Sequence, residues 1–127
     1  MSGQRVLYLD DEESLVFLVV RMLKSLGYHS AGFTDPAAAL AAFRAEPAAF
    51  DLVLADRSMP GMNGLEFAQS VLEVRPQARV VIATGFVVPE EAESARLIGV
   101  TATVQKPGNV AEIGELVRRL LAHPGGL

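Results

Sequence analysis

Five residues of this chain could do chemistry together: Asp10, Asp11, Asp56, Thr84 and Lys106. Each stands where an apolar run stops. "RVLYL" (5–9) runs into Asp10 and Asp11, and "FDLVLA" (50–55) runs into Asp56. "ARVVIAT" (78–84) ends in Thr84, and "VTATVQ" (100–105) runs into Lys106, with Pro107 behind it. Two carboxylates about 4 Å apart repel by roughly 4 kcal/mol at an effective dielectric near 20. Three must take up a proton in part or hold a cation. Oxygen donors alone, in a chain without cysteine or clustered histidine, favour a hard ion, and a small acidic site open to water and phosphate suits Mg²⁺. A carboxylate beside such an ion and an ammonium can attack a phosphoryl group. The product is an aspartyl phosphate, with Thr84 in a position to donate to a phosphoryl oxygen.

This chemistry depends on the elements that deliver the residues. The chain alternates between two hydrophobic periods. After the strand at 5–9, Leu15, Leu18, Val19, Met22, Leu23 and Leu26 recur at helical spacing up to Gly27. "YHSAGF" (28–33) reads as a weaker strand at an edge. "TDPAAALAAFRAEP" (34–47) reads as an Ala-rich helix with Thr34 or Asp35 as its cap and Pro36 in its first turn. Leu65, Phe67, Ala68, Val71 and Leu72 predict a helix that ends before Pro76. "PEEAESARLIG" (89–99) predicts a short helix with a thin apolar face, and Val110, Ile113, Leu116, Val117, Leu120 and Leu121 predict a final amphipathic one. The order is βαβαβαβαβα. Continuous apolar strands alternating with helices imply an α/β domain whose parallel sheet is covered on both faces. In such sheets the functional crevice lies beyond the carboxyl ends of the strands, where all five candidates fall.

The totals agree with this reading. The chain has 127 residues, half of them hydrophobic and a fifth charged, which is one domain's worth of globular composition. The net charge of −4 and the lack of a Lys/Arg block argue against a nucleic-acid partner. The N-terminus lacks a signal-peptide layout, and no apolar run approaches the roughly 20 residues of a membrane span. The expectation is a cytoplasmic domain over 1–122 without membrane contact, with "HPGGL" (123–127) as a tail or linker stub. Taken singly, each site residue also has an ordinary reading. Asp10 or Asp11 could cap the first helix, Asp56 and Thr84 could serve turns, and Lys106 could be solvated. The convergence from four strand ends weighs against those readings.

The pieces "LYLDDEESL", "DLVLADRSMPGMNGLEF", "VVIATGF" and "VQKP", in this order and spacing, resemble the receiver domain of two-component response regulators over essentially the whole chain. Receivers attached to hybrid histidine kinases share the style of "YLDDEESL". The resemblance implies a flavodoxin-like doubly wound fold with five parallel strands in the order 2-1-3-4-5. It implies that Asp56 is the phosphoacceptor, receiving its phosphoryl group from a histidine kinase or a histidine phosphotransfer protein. Asp11, Asp56 and the backbone carbonyl of Ser58 would hold Mg²⁺, with Asp10 assisting, and Thr84 and Lys106 would contact the phosphoryl group. In the family the peptide equivalent to Lys106–Pro107 is often cis, and X–Pro is the bond at which cis costs little. Phosphorylation would bias the surface of the fourth helix, fifth strand and fifth helix, which would meet a downstream protein or attached domain. Ser58 and Phe86, each two residues beyond a site residue, would tune the phosphoryl lifetime.

The sequence departs from the family's pattern at one position. Receivers usually carry Tyr or Phe three residues before the lysine, where this chain has Thr103. Thr103 cannot bury or expose a ring, so the readout would fall to the loop after Thr84, to Phe86 or to charge at the site. Two other functions are compatible with parts of the pattern. A degenerate receiver would act only as a protein-binding scaffold, against which the intact Asp–Thr–Lys set argues. An Mg²⁺-dependent phosphohydrolase with an Asp nucleophile would want a second Asp two residues on, where Ser58 stands, and a cap over its substrate. The domain is therefore expected to signal and not to turn over a substrate, beyond catalysing its own phosphorylation and dephosphorylation.

Overall fold

The computed structural model describes residues 3–122, so the expected tail at 123–127 lies outside the described residues. Five strands alternate with five helices: β1 Arg5–Leu9, α1 Glu13–Ser25, β2 His29–Phe33, α2 Pro36–Ala45, β3 Leu52–Asp56, α3 Gly64–Val74, β4 Val80–Thr84, α4 Pro89–Leu97, β5 Ala102–Gln105 and α5 Val110–Ala122. The strands form one parallel sheet in the order β2-β1-β3-β4-β5, as expected. The chain reverses direction of growth between β1 and β3, which opens a crevice at their carboxyl ends.

The unbroken apolar runs follow from burial on both faces. Leu7, Leu9, Val53, Ala55, Val80 and Ile82 pack on one face against Ala39, Leu40 and Phe43 of α2, Phe67, Ala68, Val71 and Leu72 of α3, and Ala95 of α4. Val6, Tyr8, Leu52, Leu54, Val81 and Ala83 pack on the other against Val16, Val19 and Leu23 of α1 and Ile113, Leu116, Val117, Leu120 and Leu121 of α5. β2 is one edge strand, β5 the other, and all five residues of β2 are at least partly exposed. Ala95 is the single buried residue of α4, as its thin apolar face predicts. The helix is held more lightly than its neighbours.

Local signals set the helix starts. Asp35, not Thr34, caps α2, accepting from the Ala37 N–H at 3.2 Å. Asn63 and Glu66 close a reciprocal capping box at the start of α3, at 2.9 and 3.0 Å. The fifth strand is shorter than the 100–105 of the sequence reading. The Val100 N–H turns back to the Ala95 carbonyl at 3.0 Å, which ties it to the closing turn of α4, and pairing to β4 begins with Thr101 donating to Val80.

Two glycines mark close approaches. A Cβ on Gly64 would sit 2.6 Å from the Asp56 carbonyl oxygen and 2.8 Å from the Arg57 Cα. The missing side chain is what lets α3 start directly behind the end of β3. A Cβ on Gly114 of α5 would meet the Met22 sulfur and the Leu26 Cδ1 of α1, both ends of flexible side chains. Gly64→Ala is expected to cost about 1–3 kcal/mol, because backbone must shift. Gly114→Ala costs less, since Met22 can rotate away and alanine gains up to about 1 kcal/mol of helix propensity. Urea denaturation of both variants checks this ranking, and equal losses would contradict it.

Candidate functional site

β1, β3 and β5 end along one edge of the sheet, with β4 between β3 and β5, and each ending is built differently. β1 continues into Asp10, whose N–H donates to the Phe33 carbonyl at 3.1 Å. Its carboxylate is 1% exposed. One oxygen, Oδ1, accepts from the Glu12 N–H at 3.0 Å. Neither Asp10 nor Asp11 caps α1, because Glu12 holds the cap position without a side-chain bond. Asp56 is the last residue of β3 and is 8% exposed. Lys106 follows β5, with its N–H on the Thr84 carbonyl at 2.7 Å.

The ends of β1 and β3 bring Asp10, Asp11 and Asp56 together. One carboxylate oxygen from each lies within 4.8 Å of the others, with Asp10 and Asp56 buried and Asp11 exposed. The Lys106 ammonium bridges two of them, 2.7 Å from Asp10 Oδ2 and 3.3 Å from Asp56 Oδ2. The electrostatics follow. Burial pushes the Asp56 carboxyl above its ordinary value. Lys106 pulls it down, Asp10 pushes it up again, and the Ser58 backbone N–H lowers it; the balance is a raised value. Burial alone would lower the Lys106 ammonium, but its hydrogen bond and charge pairing with Asp10, and then Asp56, outweigh this and raise it. Three clustered carboxylate donors without sulfur or imidazole fit a small hard cation.

The remaining expected residues stand nearby in other engagements. Thr84 ends β4, 7% exposed, and its hydroxyl donates to the Phe86 carbonyl at 3.2 Å and accepts from the Phe86 N–H at 3.4 Å. The hydroxyl thus serves a turn in this structure, while the Thr84 carbonyl holds the Lys106 N–H. Ser58 is exposed in the loop after Arg57. Phe86 is 77% exposed. The expectation of a cis Lys106–Pro107 bond is not met. No peptide among the described residues is cis, and trans is the isomer that X–Pro favours by about 0.5–1 kcal/mol.

Two features escaped the sequence reading. Tyr8 lies under the site and donates its hydroxyl to Asp10 Oδ2 at 3.2 Å. Its signal was the strand period of two, which puts residues 8 and 10 on one face. On the opposite face, Thr103 borders a cavity of about 250 Å³ lined also by Leu65, Ile82, Thr84, Val88 and Ala95. Arg57 and Glu91 of α4, which also line it, pair at 3.0 Å. A long side chain at 103 would enter this space, and the short threonine leaves it open.

A doubly wound five-stranded sheet with an acidic cluster and a lysine at its topological switch point defines a class of phosphoryl- and cation-handling α/β domains. Comparison with known proteins narrows this. The response regulator receiver domain family matches residues 6–118, and the chain belongs to that family, the receiver domains of two-component signal transduction. It is 34% identical over 83 residues to the response regulator receiver protein CpdR of Brucella abortus, covering 65% of this chain and 68% of that protein. It is 26% identical over 121 residues to sporulation initiation phosphotransferase F of Bacillus subtilis, covering 95% and 96%. Other curated relatives are far longer, and the chain spans 18% of one and 24% of another. Among solved structures, the chemotaxis protein CheY4 of Vibrio cholerae superposes with a TM-score of 0.80 at 28% identity, over 93% of this chain and 98% of that one. Mg²⁺ binding and phosphorylation are typical of the family. No helix among the described residues is long and apolar enough to cross a membrane.

Two predictions follow from the geometry. Asp56 binds its proton more tightly folded than unfolded, so its ionised form is a burden on the fold above the ordinary aspartate range. Asp56→Asn removes that burden while Lys106 keeps Asp10. It is expected to raise unfolding free energy by about 0.5–2 kcal/mol at pH 7. The gain shrinks as pH falls toward the ordinary aspartate value, where wild-type Asp56 is neutral too. Chemical denaturation at pH 7 and pH 4 reads both limbs. Thr103→Phe is expected to fill the cavity and add about 0.5–2 kcal/mol, in place of the roughly 1–3 kcal/mol loss of an overpacked core. A lowered thermal midpoint would show the space to be unavailable.

Proposed function

We propose that this receiver accepts one phosphoryl group on Asp56 from a phosphohistidine of a histidine kinase or histidine phosphotransfer protein. The observation that carries this reading is the lysine bridge. Lys106 lies between Asp10 and Asp56 within a cluster of three carboxylates, which places a cation next to the nucleophile and next to where a phosphoryl oxygen would arrive. An Asp56 carboxylate oxygen forms the new P–O bond as the P–N bond to the imidazole breaks, and the imidazole leaves with its electron pair. Asp11, Asp56 and the Ser58 carbonyl would hold Mg²⁺, with Asp10 assisting. Bound there, the ion would neutralise charge on the transferring group. Lys106 leaves Asp10 for a phosphoryl oxygen, and Thr84 exchanges its Phe86 partners for another. The same groups then serve the slow hydrolysis that resets the domain, with water as the nucleophile.

The rest of the reading concerns partners. α1 begins two residues after Asp11 and presents Phe17 and Leu18 exposed, a surface a phosphohistidine donor can meet while its imidazole approaches Asp56. The α4–β5–α5 face is the proposed output surface. α4 has one buried anchor, Leu97 and Ile98 are exposed at its end, and Glu91 ties it to Arg57, the neighbour of Asp56. A downstream protein or an attached domain is the proposed occupant. A cytoplasmic setting, and 1–122 as the extent of the domain, belong to the same proposal.

Incubation with phosphoramidate and Mg²⁺ is expected to add a single phosphoryl mass, which Asp56→Asn abolishes, as read by intact-mass spectrometry. No adduct under conditions that label a control receiver would remove the phosphoacceptor reading and leave the scaffold. Steady phosphate release from small phosphate esters would favour a hydrolase.

A further inference from the structure

The core cluster beneath the site is built from apolar side chains around one buried phenol. Tyr8 shares this cluster with Val6, Leu52, Leu54, Val81, Ala83 and Ile113, and a phenylalanine would meet the packing need alone. Tyr8 is 4% exposed, and its hydroxyl reaches the one acceptor that matters there, Asp10 Oδ2. The same oxygen accepts from Lys106 at 2.7 Å, while Asp10 Oδ1 is occupied by the Glu12 N–H. Tyr8, Asp10, Asp56 and Lys106 also line one small recess, with Ala83 and Pro107.

We propose that Tyr8 is a positioning residue for phosphoryl transfer: its hydroxyl satisfies Asp10 from below, so that Lys106 is shared between Asp10 and Asp56 and is released to an incoming phosphoryl group. This rests on the phosphoacceptor reading above. Two carboxylates compete for one ammonium, which stands 0.6 Å closer to Asp10 (2.7 against 3.3 Å). A buried carboxylate oxygen that already accepts from a neutral donor is a weaker competitor for a cation than a bare one. Take the hydroxyl away, and Asp10, almost without water, has Lys106 as the sole donor to Oδ2. The ammonium then withdraws to Asp10, and freeing it leaves a buried oxygen unsatisfied. With the hydroxyl in place, Asp10 keeps a donor on each oxygen when Lys106 departs.

The test uses Tyr8→Phe, which keeps the ring and the packing, in the full chain. Phosphorylation by phosphoramidate is followed as a function of Mg²⁺. The expected result is a fall of about five- to tenfold in the rate at saturating Mg²⁺, with the half-saturating Mg²⁺ concentration within about twofold of wild type. In parallel, side-chain NMR of the metal-free protein reads the lysines. The chain has two, Lys24 and Lys106, and only the Lys106 signals should shift in the variant. Tyr8→Leu should show the same fall in rate together with a lower thermal midpoint. An unchanged rate in Tyr8→Phe, a loss carried by the Mg²⁺ dependence, or unmoved Lys106 signals overturns the proposal. If wild type itself takes no label, the phosphoacceptor reading fails, and the NMR comparison alone decides whether Tyr8 governs the position of Lys106.

Discussion

The repulsion among Asp10, Asp11 and Asp56 is the constraint to which the rest of the molecule answers. Their oxygens are held within 4.8 Å, and two of the three residues are nearly closed to water. At such spacing each pair repels by several kcal/mol at an effective dielectric near 20. A flexible loop would relieve this by moving apart. These carboxylates cannot, because two grow directly out of strands whose residues are buried on both faces. One ammonium offsets part of the repulsion, and its unequal distances show that it is divided between two owners. The site therefore sits in a state that an arriving cation improves.

That arrangement is affordable only because stability comes from elsewhere. The two apolar layers, one under α2 and α3 and the other under α1 and α5, surround β1, β3 and β4 completely. α4 is the exception. With Ala95 as its one buried residue, an open cavity beneath it and a half-exposed ion pair from Arg57 to Glu91, it is the element whose position costs least to change. The strained site and the loosely held helix are joined through β3 and β4. Arg57 directly follows Asp56, and the Thr84–Val88 segment runs from the site to the cap of α4.

Most of this architecture was legible in the sequence for a physical reason. Strands buried on both faces must be continuously apolar, so their ends are sharp, and Asp10, Asp56 and Thr84 stand out as the first polar residues there; Lys106 follows a half-exposed strand that carries Thr103 and Gln105 and stands out less. The edges of weaker elements were less visible. Val100 reads as strand by composition, yet its N–H is claimed by Ala95, and nothing in a β-branched residue reveals which carbonyl it will find. Thr84 was read as free to serve the site, whereas in this structure its hydroxyl is closed on Phe86. The turn reading and the site reading were treated as alternatives, but one threonine can serve a turn at rest and give it up later. Tyr8 was overlooked because a tyrosine within "RVLYL" looks like core, and its hydroxyl gains meaning only once Asp10 is placed two residues on along the same face.

Thr103 is where the sequence departs from its family and where the structure adds most. A ring at this position would have filled the space between β4, β5 and α4. Threonine leaves about 250 Å³ there, bounded on one side by Thr84 and on another by α4. A filled core transmits displacement because packed atoms cannot pass through one another; a void absorbs it. A movement of Thr84 toward the site therefore cannot push α4 through a side chain at 103. The connections left are covalent and electrostatic: the short segment from Thr84 to Val88, which carries Phe86, and the Arg57–Glu91 pair. Both begin at residues that end or follow a site strand, and both arrive in the first turn of α4 or its cap. With no aromatic at 103, the links this structure shows between the site strands and α4 include the Thr84–Val88 segment and the Arg57–Glu91 pair.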